Sequence, residues 1–213
     1  MKSVLVIGAG KFGRHIAEYL CNMGNDVMLV DKSEKLIEEY ADTVTNAEIG
    51  DFTIKHNLKA LDVADYDYIF VCIGDFQDSL VITTYLKELG ARCVIGKATS
   101  EIHEMFLLKN GADRVIYPER DMAYRLAVEY DNSSIFDYFQ LNESTGIYEI
   151  TVPNHWIGKT LADVNVRKKF GVTVIAYKEG DLIKNITSPE YAFKAEEHIL
   201  VLGEKNNIKK IAK

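Results

Sequence analysis

The segment VLVIGAGKFGRHIAEYLCNMGNDVMLVD, residues 4–31, decides the fold. It reads as an apolar strand, a turn with the glycine spacing G-x-G-x-x-G, an amphipathic helix, and a second apolar strand that ends in Asp31. This complete order is typical of a Rossmann-type nucleotide site, whereas the glycine spacing alone often occurs by chance. The alternative is the glycine-rich turn of a doubly wound domain that binds no ligand.

The three glycines of this turn have different expected roles. Gly8 permits the tight turn out of the strand, Gly10 lets the backbone approach a pyrophosphate, and Gly13 lets the helix pack closely on the sheet. The helix that starts near Lys11 directs its N-terminal amides and the positive end of its dipole at the phosphates. Asp31 can accept both ribose hydroxyls of an adenosine and would repel a 2'-phosphate, which argues against NADP.

Composition and charge are those of a globular protein. The 213 residues are 47% hydrophobic, which is ample for a packed core, and the net charge is -7. Acidic and basic residues are interspersed, so we expect no binding of nucleic acid. No apolar run approaches the roughly 20 residues that span a bilayer, and no signal-peptide pattern is visible. These features predict a cytosolic protein.

The cysteines and histidines predict no metal or disulfide chemistry. Cys21, Cys72 and Cys93 are widely spaced among apolar neighbours, which is typical of reduced, buried thiols. The five histidines lack the spacing of metal ligands, so surface or structural roles are expected for them.

Alternation of helices and strands continues beyond Asp31. Six strands are predicted, at residues 4–7, 27–30, 43–49, 68–74, 93–97 and 115–117. Ser33 and Ser100 are candidate N-caps of the helices at residues 33–40 and 101–109. The almost wholly apolar run at residues 68–74 suits a central parallel strand that is covered by helices on both sides. Six such units predict an α/β fold with a doubly wound parallel sheet.

The pattern changes beyond Pro118. Residues 119–130 form a predicted helix, residues 131–134 are polar, and the remainder reads as short strands with one helix at residues 161–170. We therefore divide the chain into a nucleotide-binding domain at residues 1–117, a connecting helix and linker at 118–134, and a small α+β domain at 135–213. Apolar residues of the connecting helix either pack between neighbouring subunits or join the core of their own domain.

Several motifs recur in the same order in one protein family. The N-terminal motifs are GAGKFG (8–13), Asp31, the pair Ile73-Gly74, VIGKA (94–98) and GADRVIYPE (111–119), of which the last is the most specific. The C-terminal motifs are IGKTL (157–161), VRKKFGV (166–172) and ILVLG (199–203). Their order resembles the RCK, or KTN, domain that regulates potassium channels and transporters. One Rossmann half with one RCK C-subdomain resembles the Ktr-type peripheral subunit, whereas Trk-type subunits usually carry two copies.

This resemblance implies a regulatory protein and not an enzyme. In the family, several subunits, typically eight, form a gating ring under a membrane-embedded potassium-translocating subunit, and nucleotide occupancy changes the ring. Ktr-type relatives respond to ATP and ADP, and Trk-type relatives respond also to NAD or NADH. The resemblance thus implies a cytoplasmic homo-oligomer on the inner face of the cell membrane.

The resemblance also implies a set of site residues. The implied nucleotide-binding residues are Gly8, Gly10, Lys11, Phe12, Gly13, Asp31, Lys32, Asp51, Ile73, Gly74 and Lys97. Lys11 replaces a common arginine and lacks its bidentate fork, which weakens the expected preference for ATP over ADP. Glu119 matches a carboxylate that holds Mg2+ or Ca2+ near the terminal phosphate, and its alternative role is that of a first-turn helix acid.

The sequence leaves open a second ligand and a rival function. Some relatives bind cyclic di-AMP in the C-subdomain, where Arg167 and Thr173 lie in this sequence; alternatively, residues 167–169 are a solvated helix end.

The main rival function is an NAD-dependent oxidoreductase, which needs a substrate pocket and a proton donor. Neither Tyr19, Tyr40, Tyr85 nor Tyr124 has a lysine four residues later. A nucleotide-sensing repressor would need a helix-turn-helix and a basic face, and neither is visible.

Overall fold

A computed structural model describes residues 1–131, 134–142 and 144–211. The chain forms two compact units, Met1–Glu119 and Arg120–Lys213. The connecting helix therefore begins with the last two residues of the first unit and continues in the second. Of the polar linker at residues 131–134, Asn132 and Ser133 lie outside the described residues.

The first unit contains a six-stranded parallel sheet in the order β3-β2-β1-β4-β5-β6. Its strands are β1 (Ser3–Ile7), β2 (Asp26–Asp31), β3 (Asn46–Ile49), β4 (Tyr68–Val71), β5 (Val94–Lys97) and β6 (Arg114–Ile116). Its helices are α1 (Lys11–Asn22), α2 (Glu34–Tyr40), α3 (Lys55–Ala60), α4 (Phe76–Glu88) and α5 (Glu101–Lys109). This is the strand order of a dinucleotide-binding fold, so the predicted doubly wound sheet is confirmed.

Alternation along β1 builds the core on both faces of this sheet. Leu5 and Ile7 pack in one apolar cluster, and Val4 and Val6 pack in another. Successive side chains of a strand point to opposite faces, so helices on both sides bury this strand completely. The second cluster also contains Ala17 of α1. Ala17 belongs to the apolar face that helical periodicity predicts for this helix.

Three local predictions differ in outcome. Ser100 lies at the N-cap of α5 and accepts a hydrogen bond from the His103 amide, as predicted. Ser33 lies at the N-cap of α2, but its side chain makes no capping hydrogen bond, and its own amide donates to Asp31 instead. β4 ends at Val71, earlier than the predicted Gly74, because its neighbour β1 ends at Ile7, the partner of Val71.

The second unit contains a five-stranded antiparallel sheet in the order β10-β9-β11-β8-β7. Its strands are β7 (Ile135–Gln140), β8 (Thr145–Thr151), β9 (Thr173–Glu179), β10 (Leu182–Asn185) and β11 (His198–Glu204). Its helices are α6 (Pro118–Asp131, from Arg120 onward), α7 (Leu161–Val164), α8 (Val166–Phe170) and α9 (Lys205–Ile211). Buried Tyr148, Trp156 and Phe193 are the largest side chains of its core.

The single helix predicted at residues 161–170 is wrong. Asn165 adopts a left-handed backbone conformation with φ of 52° and separates α7 from α8. Val164 and Val166 are both buried, which a continuous helix would prevent because residues two apart point to different sides. Helix α9, which is not among the predicted elements, completes the core with Ile208 and Ile211.

Of the three thiols predicted to be buried, Cys72 is buried, whereas Cys21 and Cys93 are partly exposed. Cys21, Cys72 and Cys93 are free thiols, and burial raises the pKa of Cys72 to about 12. Among the helices of the described residues, none combines the length and the apolar character that crossing a membrane requires.

Candidate functional site

A cavity of about 250 Å³ lies in the first unit, at the carboxyl ends of its central strands. In doubly wound sheets, ligands bind at this edge. The cavity is lined by Ile7, Asp31, Lys32, Gly50, Asp51, Phe52, Thr53, Ile73, Asp75, Asp78 and Ile82. Apolar side chains can hold a planar base, and carboxylates can accept hydrogen bonds from sugar hydroxyls, so the lining suits a nucleoside.

Asp31 is fixed by two backbone amides. Its Oδ2 accepts from the Ala9 amide at 2.7 Å, and its Oδ1 accepts from the Ser33 amide at 2.8 Å. The carboxylate therefore ties the glycine-rich turn to the start of α2. Each carboxylate oxygen has a second lone pair, so ribose hydroxyls can still bind to it.

The glycine-rich turn is closely packed at two positions and open at the third. Gly8 has a φ of 105°, and a Cβ at Gly13 would lie 1.8 Å from the carbonyl oxygen of Gly8. At Gly10, the N-cap of α1, a Cβ would meet nothing within 4 Å. A phosphate can therefore approach the backbone at Gly10, where the free amides of α1 begin. Lys11 is exposed at the first position of that helix.

A second polar cluster joins three predicted site residues. Lys97 Nζ lies 2.9 Å from Glu119 Oε1 and 5.9 Å from the centre of the Phe12 ring. The lysine side chain is only 15% exposed, and its hydrogen bond holds the pKa of Glu119 below its usual value. The carboxylate that the resemblance assigns to a divalent cation is thus paired with an ammonium group. Within residues 1–131, 134–142 and 144–211, no group of three or more His, Cys, Asp or Glu side chains is placed to hold a metal ion.

Asp51 forms a small turn of its own at the rim of the cavity. Its Oδ1 accepts from the hydroxyl of Thr53 at 2.6 Å and from the Thr53 amide at 3.0 Å. These hydrogen bonds lower the pKa of Asp51, and the charge of Lys32 adds to the effect. Asp51 is therefore ionised at neutral pH.

The structure brings four of the predicted residues, Asp31, Lys32, Asp51 and Ile73, to this cavity. Gly74 follows Ile73 and is exposed. Sequence reasoning missed Asp75 and Asp78 in particular. Asp75 is the N-cap of α4 and accepts from the Asp78 amide at 2.9 Å. The available signal was an acid directly after Gly74, the end of the predicted strand, with a second acid three residues later.

A buried serine–histidine pair lies between α4 and α5. Ser79 Oγ and His103 Nε2 are 2.7 Å apart, and both residues are fully buried. Ser79 donates to the Phe76 carbonyl at 2.9 Å, so it accepts from Nε2–H, while Nδ1 accepts from the Thr99 amide at 3.3 Å. The pair is closed to solvent and holds a neutral imidazole, which gives it a structural role.

A second cavity, of about 450 Å³, lies in the second unit beside α7, α8 and β9. Arg167 and Thr173 both line it, and Arg167 Nε donates to Thr173 Oγ1 at 3.4 Å. Most of the other lining residues are apolar: Leu161, Ala162, Val166, Val172, Val174, Ile175 and Ile186. The two residues predicted for cyclic di-AMP thus lie together in one cavity.

Comparison with known proteins identifies both units. The TrkA-N domain model matches residues 4–118, and the TrkA-C domain model matches residues 147–213. The chain is 36% identical to Ktr system potassium uptake protein C of Bacillus subtilis (strain 168), over 100% of this chain and 96% of that protein. It is 33% identical to Ktr system potassium uptake protein A of the same organism, over 98% and 95% of the two chains.

A solved structure supports the fold. The GsuK channel bound to NAD matches with a TM-score of 0.73 at 16% identity, over 100% of this chain and 39% of that chain. This chain thus spans less than half the length of the GsuK channel. The matches to both domain models and to the two Ktr proteins show that this chain belongs to the TrkA-N and TrkA-C domain family that includes the Ktr potassium uptake proteins.

Proposed function

We propose that this chain is a nucleotide-sensing regulatory subunit of a potassium uptake system and has no enzymatic activity. One observation carries the proposal: a fixed carboxylate, Asp31, faces a cavity beside the glycine-rich turn, in a chain that resembles Ktr proteins over its whole length. The chain acts in the cytoplasm, on the inner face of the cell membrane, through a membrane-embedded potassium-translocating subunit.

The ligand is an adenine nucleotide, with ATP or ADP as the first choice and NAD or NADH as the alternative. The base lies among Ile7, Phe52 and Ile73, and the ribose hydroxyls bind Asp31. The phosphates follow the backbone of Gly10 to the first amides of α1, where the helix dipole favours anions.

The Lys97–Glu119 pair is the proposed link between phosphate binding and the second unit. A terminal phosphate competes with Glu119 for the ammonium of Lys97. The carboxylate so released supplies one oxygen ligand to Mg2+ or Ca2+, and the phosphates supply others. Glu119 lies in the first turn of α6, and this helix continues into the second unit. The change of partner at Glu119 therefore acts on a helix that belongs to both units.

Regulation requires an assembly of subunits. We propose dimers that assemble into an octameric ring, with the exposed apolar side chains of α6, Met122 and Leu126, at contacts between copies. Moving a two-state ring from 1:99 to 99:1 takes about 5.5 kcal/mol of differential binding, which the sites of several subunits can share.

Cyclic di-AMP is a proposed second ligand, in the cavity that Arg167 and Thr173 line. The guanidinium can bind a phosphate, and the apolar lining can pack against a base. Thr173 adds only a single hydroxyl to these contacts, so we expect a weak interaction.

A transport assay tests the proposal. Cells that lack potassium uptake are supplied with a Ktr-type membrane subunit, alone or together with this chain. We expect uptake to rise when the chain is present, and to respond less when Asp31 is replaced by alanine. An equal rate of uptake with and without the chain would contradict the regulatory function. In parallel, NADH turnover with carbonyl substrates would support the oxidoreductase alternative.

A further inference from the structure

Lys32 and Asp78 form an ion pair across the nucleotide cavity. Lys32 directly follows Asp31 at the end of β2, and Asp78 lies in the first turn of α4. The distance from Nζ to Asp78 Oδ2 is 3.6 Å, and both residues line the cavity. The lysine side chain is 71% exposed, so it can turn to another partner at small cost.

The other three carboxylates of the lining have partners from the backbone or from a hydroxyl. Asp31 accepts from the amides of Ala9 and Ser33, Asp51 accepts from Thr53, and Asp75 accepts from the Asp78 amide. Among the described residues of the lining, Lys32 is the one cation, and Asp78 is its ion-pair partner. Asp78 therefore biases the position of this positive charge towards α4.

The position of this charge matters for the ribose. In Rossmann-type sites the acid that ends the second strand binds a free 2'-hydroxyl, whereas a nearby basic residue accommodates a 2'-phosphate. This chain carries both kinds of side chain in succession, Asp31 and Lys32. A lysine released from Asp78 can reach a 2'-phosphate and offset its repulsion by Asp31, because its four-carbon stem is flexible.

We infer that Asp78 is a specificity-determining residue of the nucleotide site. It draws Lys32 towards α4, so the site favours nucleotides with a free 2'-hydroxyl over those with a 2'-phosphate by the modest factor that one exposed ion pair provides. This inference rests on the proposed function, because it needs an adenine nucleotide in this cavity. Asp78, on helix α4, thus joins Asp31, at the end of β2, as a side chain that determines nucleotide specificity.

Paired ligands that differ only in the 2'-phosphate test the inference. Calorimetry at low ionic strength compares AMP with adenosine 2',5'-bisphosphate, and NAD with NADP. We expect Asp78→Asn to reduce the preference for the free 2'-hydroxyl by about fivefold, the scale of one exposed ion pair. The double variant Asp78→Asn with Lys32→Gln should show the same ratio of affinities for the two ligands as Lys32→Gln alone. In that variant no released ammonium group remains to bind the 2'-phosphate.

Asp75→Asn is the matched control. It removes one negative charge from the same cavity, and asparagine caps a helix as well as aspartate does. We expect its ratio to change less than that of Asp78→Asn, because its loss releases no cation, and circular dichroism checks that each variant is folded. An equal effect of Asp75→Asn and Asp78→Asn, or a loss of preference in the double variant beyond that of Lys32→Gln, would overturn the inference.

Binding of adenine nucleotides by the wild-type chain distinguishes a failure of the role of Asp78 from a failure of the proposed function. If the wild-type chain binds adenine nucleotides and the Asp78→Asn ratio stays unchanged, the role of Asp78 is wrong and the proposed function stands. If the wild-type chain binds no adenine nucleotide under any of these conditions, both are wrong.

Discussion

Lys97 and Glu119 form an ion pair of 2.9 Å that joins the end of β5 to the first turn of α6. The lysine is largely buried, while the carboxylate is 61% exposed. A phosphate and a divalent cation can therefore each replace one member of the pair. Under the proposed function, we therefore expect the start of α6 to respond to a phosphate that binds at the glycine-rich turn.

Glu119→Gln should separate the effect of the cation from that of the nucleotide. Lys97 then has no carboxylate partner at residue 119, so ATP without a divalent cation should bind up to about fivefold more tightly. The gain in affinity from Mg2+ or Ca2+ should shrink, because a neutral amide oxygen replaces the charged carboxylate ligand. Calorimetry with and without each cation measures both effects.

Glu101→Gln is the control for that experiment, since Glu101 is an exposed first-turn acid of α5. It should leave the dependence on divalent cations unchanged. The role of Glu119 would be refuted if Mg2+ or Ca2+ strengthened ATP binding as much in Glu119→Gln as in the wild type.

Asp31→Ala should impair both binding and stability. Loss of the carboxylate leaves the amides of Ala9 and Ser33 without this acceptor, which costs about 1–3 kcal/mol of the free energy of unfolding. Nucleotide affinity should fall at least tenfold, on the order of two lost hydrogen bonds to a charged group. Urea unfolding and calorimetry measure the two effects, and an unchanged affinity would show that the ribose binds elsewhere.

Alanine at Gly13 and at Gly10 should have opposite consequences. At Gly13 the new Cβ would overlap the Gly8 carbonyl oxygen, so we expect a loss of at least 1–3 kcal/mol of stability, roughly the cost of overpacking. At Gly10 the methyl group has space, and its cost as an N-cap is about 1 kcal/mol or less.

Gly10→Ala should instead weaken nucleotide binding, because the methyl group occupies the approach of the phosphates to α1. Thermal unfolding and calorimetry on both variants distinguish the two roles. Full nucleotide affinity in a folded Gly10→Ala protein would mean that the phosphates lie elsewhere.

Stability should depend on pH through His103. Burial lowers the pKa of this imidazole, and the charge of Asp75 offsets part of the effect. Below the usual histidine pKa of about 6.5, the unfolded chain therefore binds more protons than the native protein, and stability falls as the pH decreases. Above that pH, the contribution of neutral His103 to the free energy of unfolding is fully present.

Thermal unfolding between pH 5 and pH 8 measures this dependence. His103→Gln should flatten it, whereas His56→Gln, at an exposed histidine, should not. The assignment to His103 would be wrong if the slope were the same in all three proteins.

Features of the fold that depend on local sequence were predictable. The glycine-rich turn, α1 and Asp31 lie within one βαβ unit, where spacing and periodicity fix their relation. The break at Asn165 was not predictable in this way, because apolar periodicity does not report a single left-handed residue. Helix α9 was missed because it is short and mostly polar in sequence, with only two buried isoleucines.

The site was predictable only in part. The carboxyl ends of parallel strands share one edge of the sheet, so residues at or just after these ends are expected to meet there. Four lining residues have such positions: Asp31, Lys32, Asp51 and Ile73. Asp75 and Asp78 enter the cavity through the packing of α4, which the sequence pattern does not specify. The Lys97–Glu119 contact likewise depends on where β6 and the following turn place the start of α6.

Calorimetric titration of ATP and ADP into the purified wild-type chain, with oligomer size followed by light scattering, tests the central claim most directly. We predict saturable binding of adenine nucleotide to an assembly of several subunits, and a loss of that binding in Asp31→Ala. A monomer that binds neither nucleotide, or a chain that binds only NADH and oxidises it with a carbonyl substrate, would contradict the account.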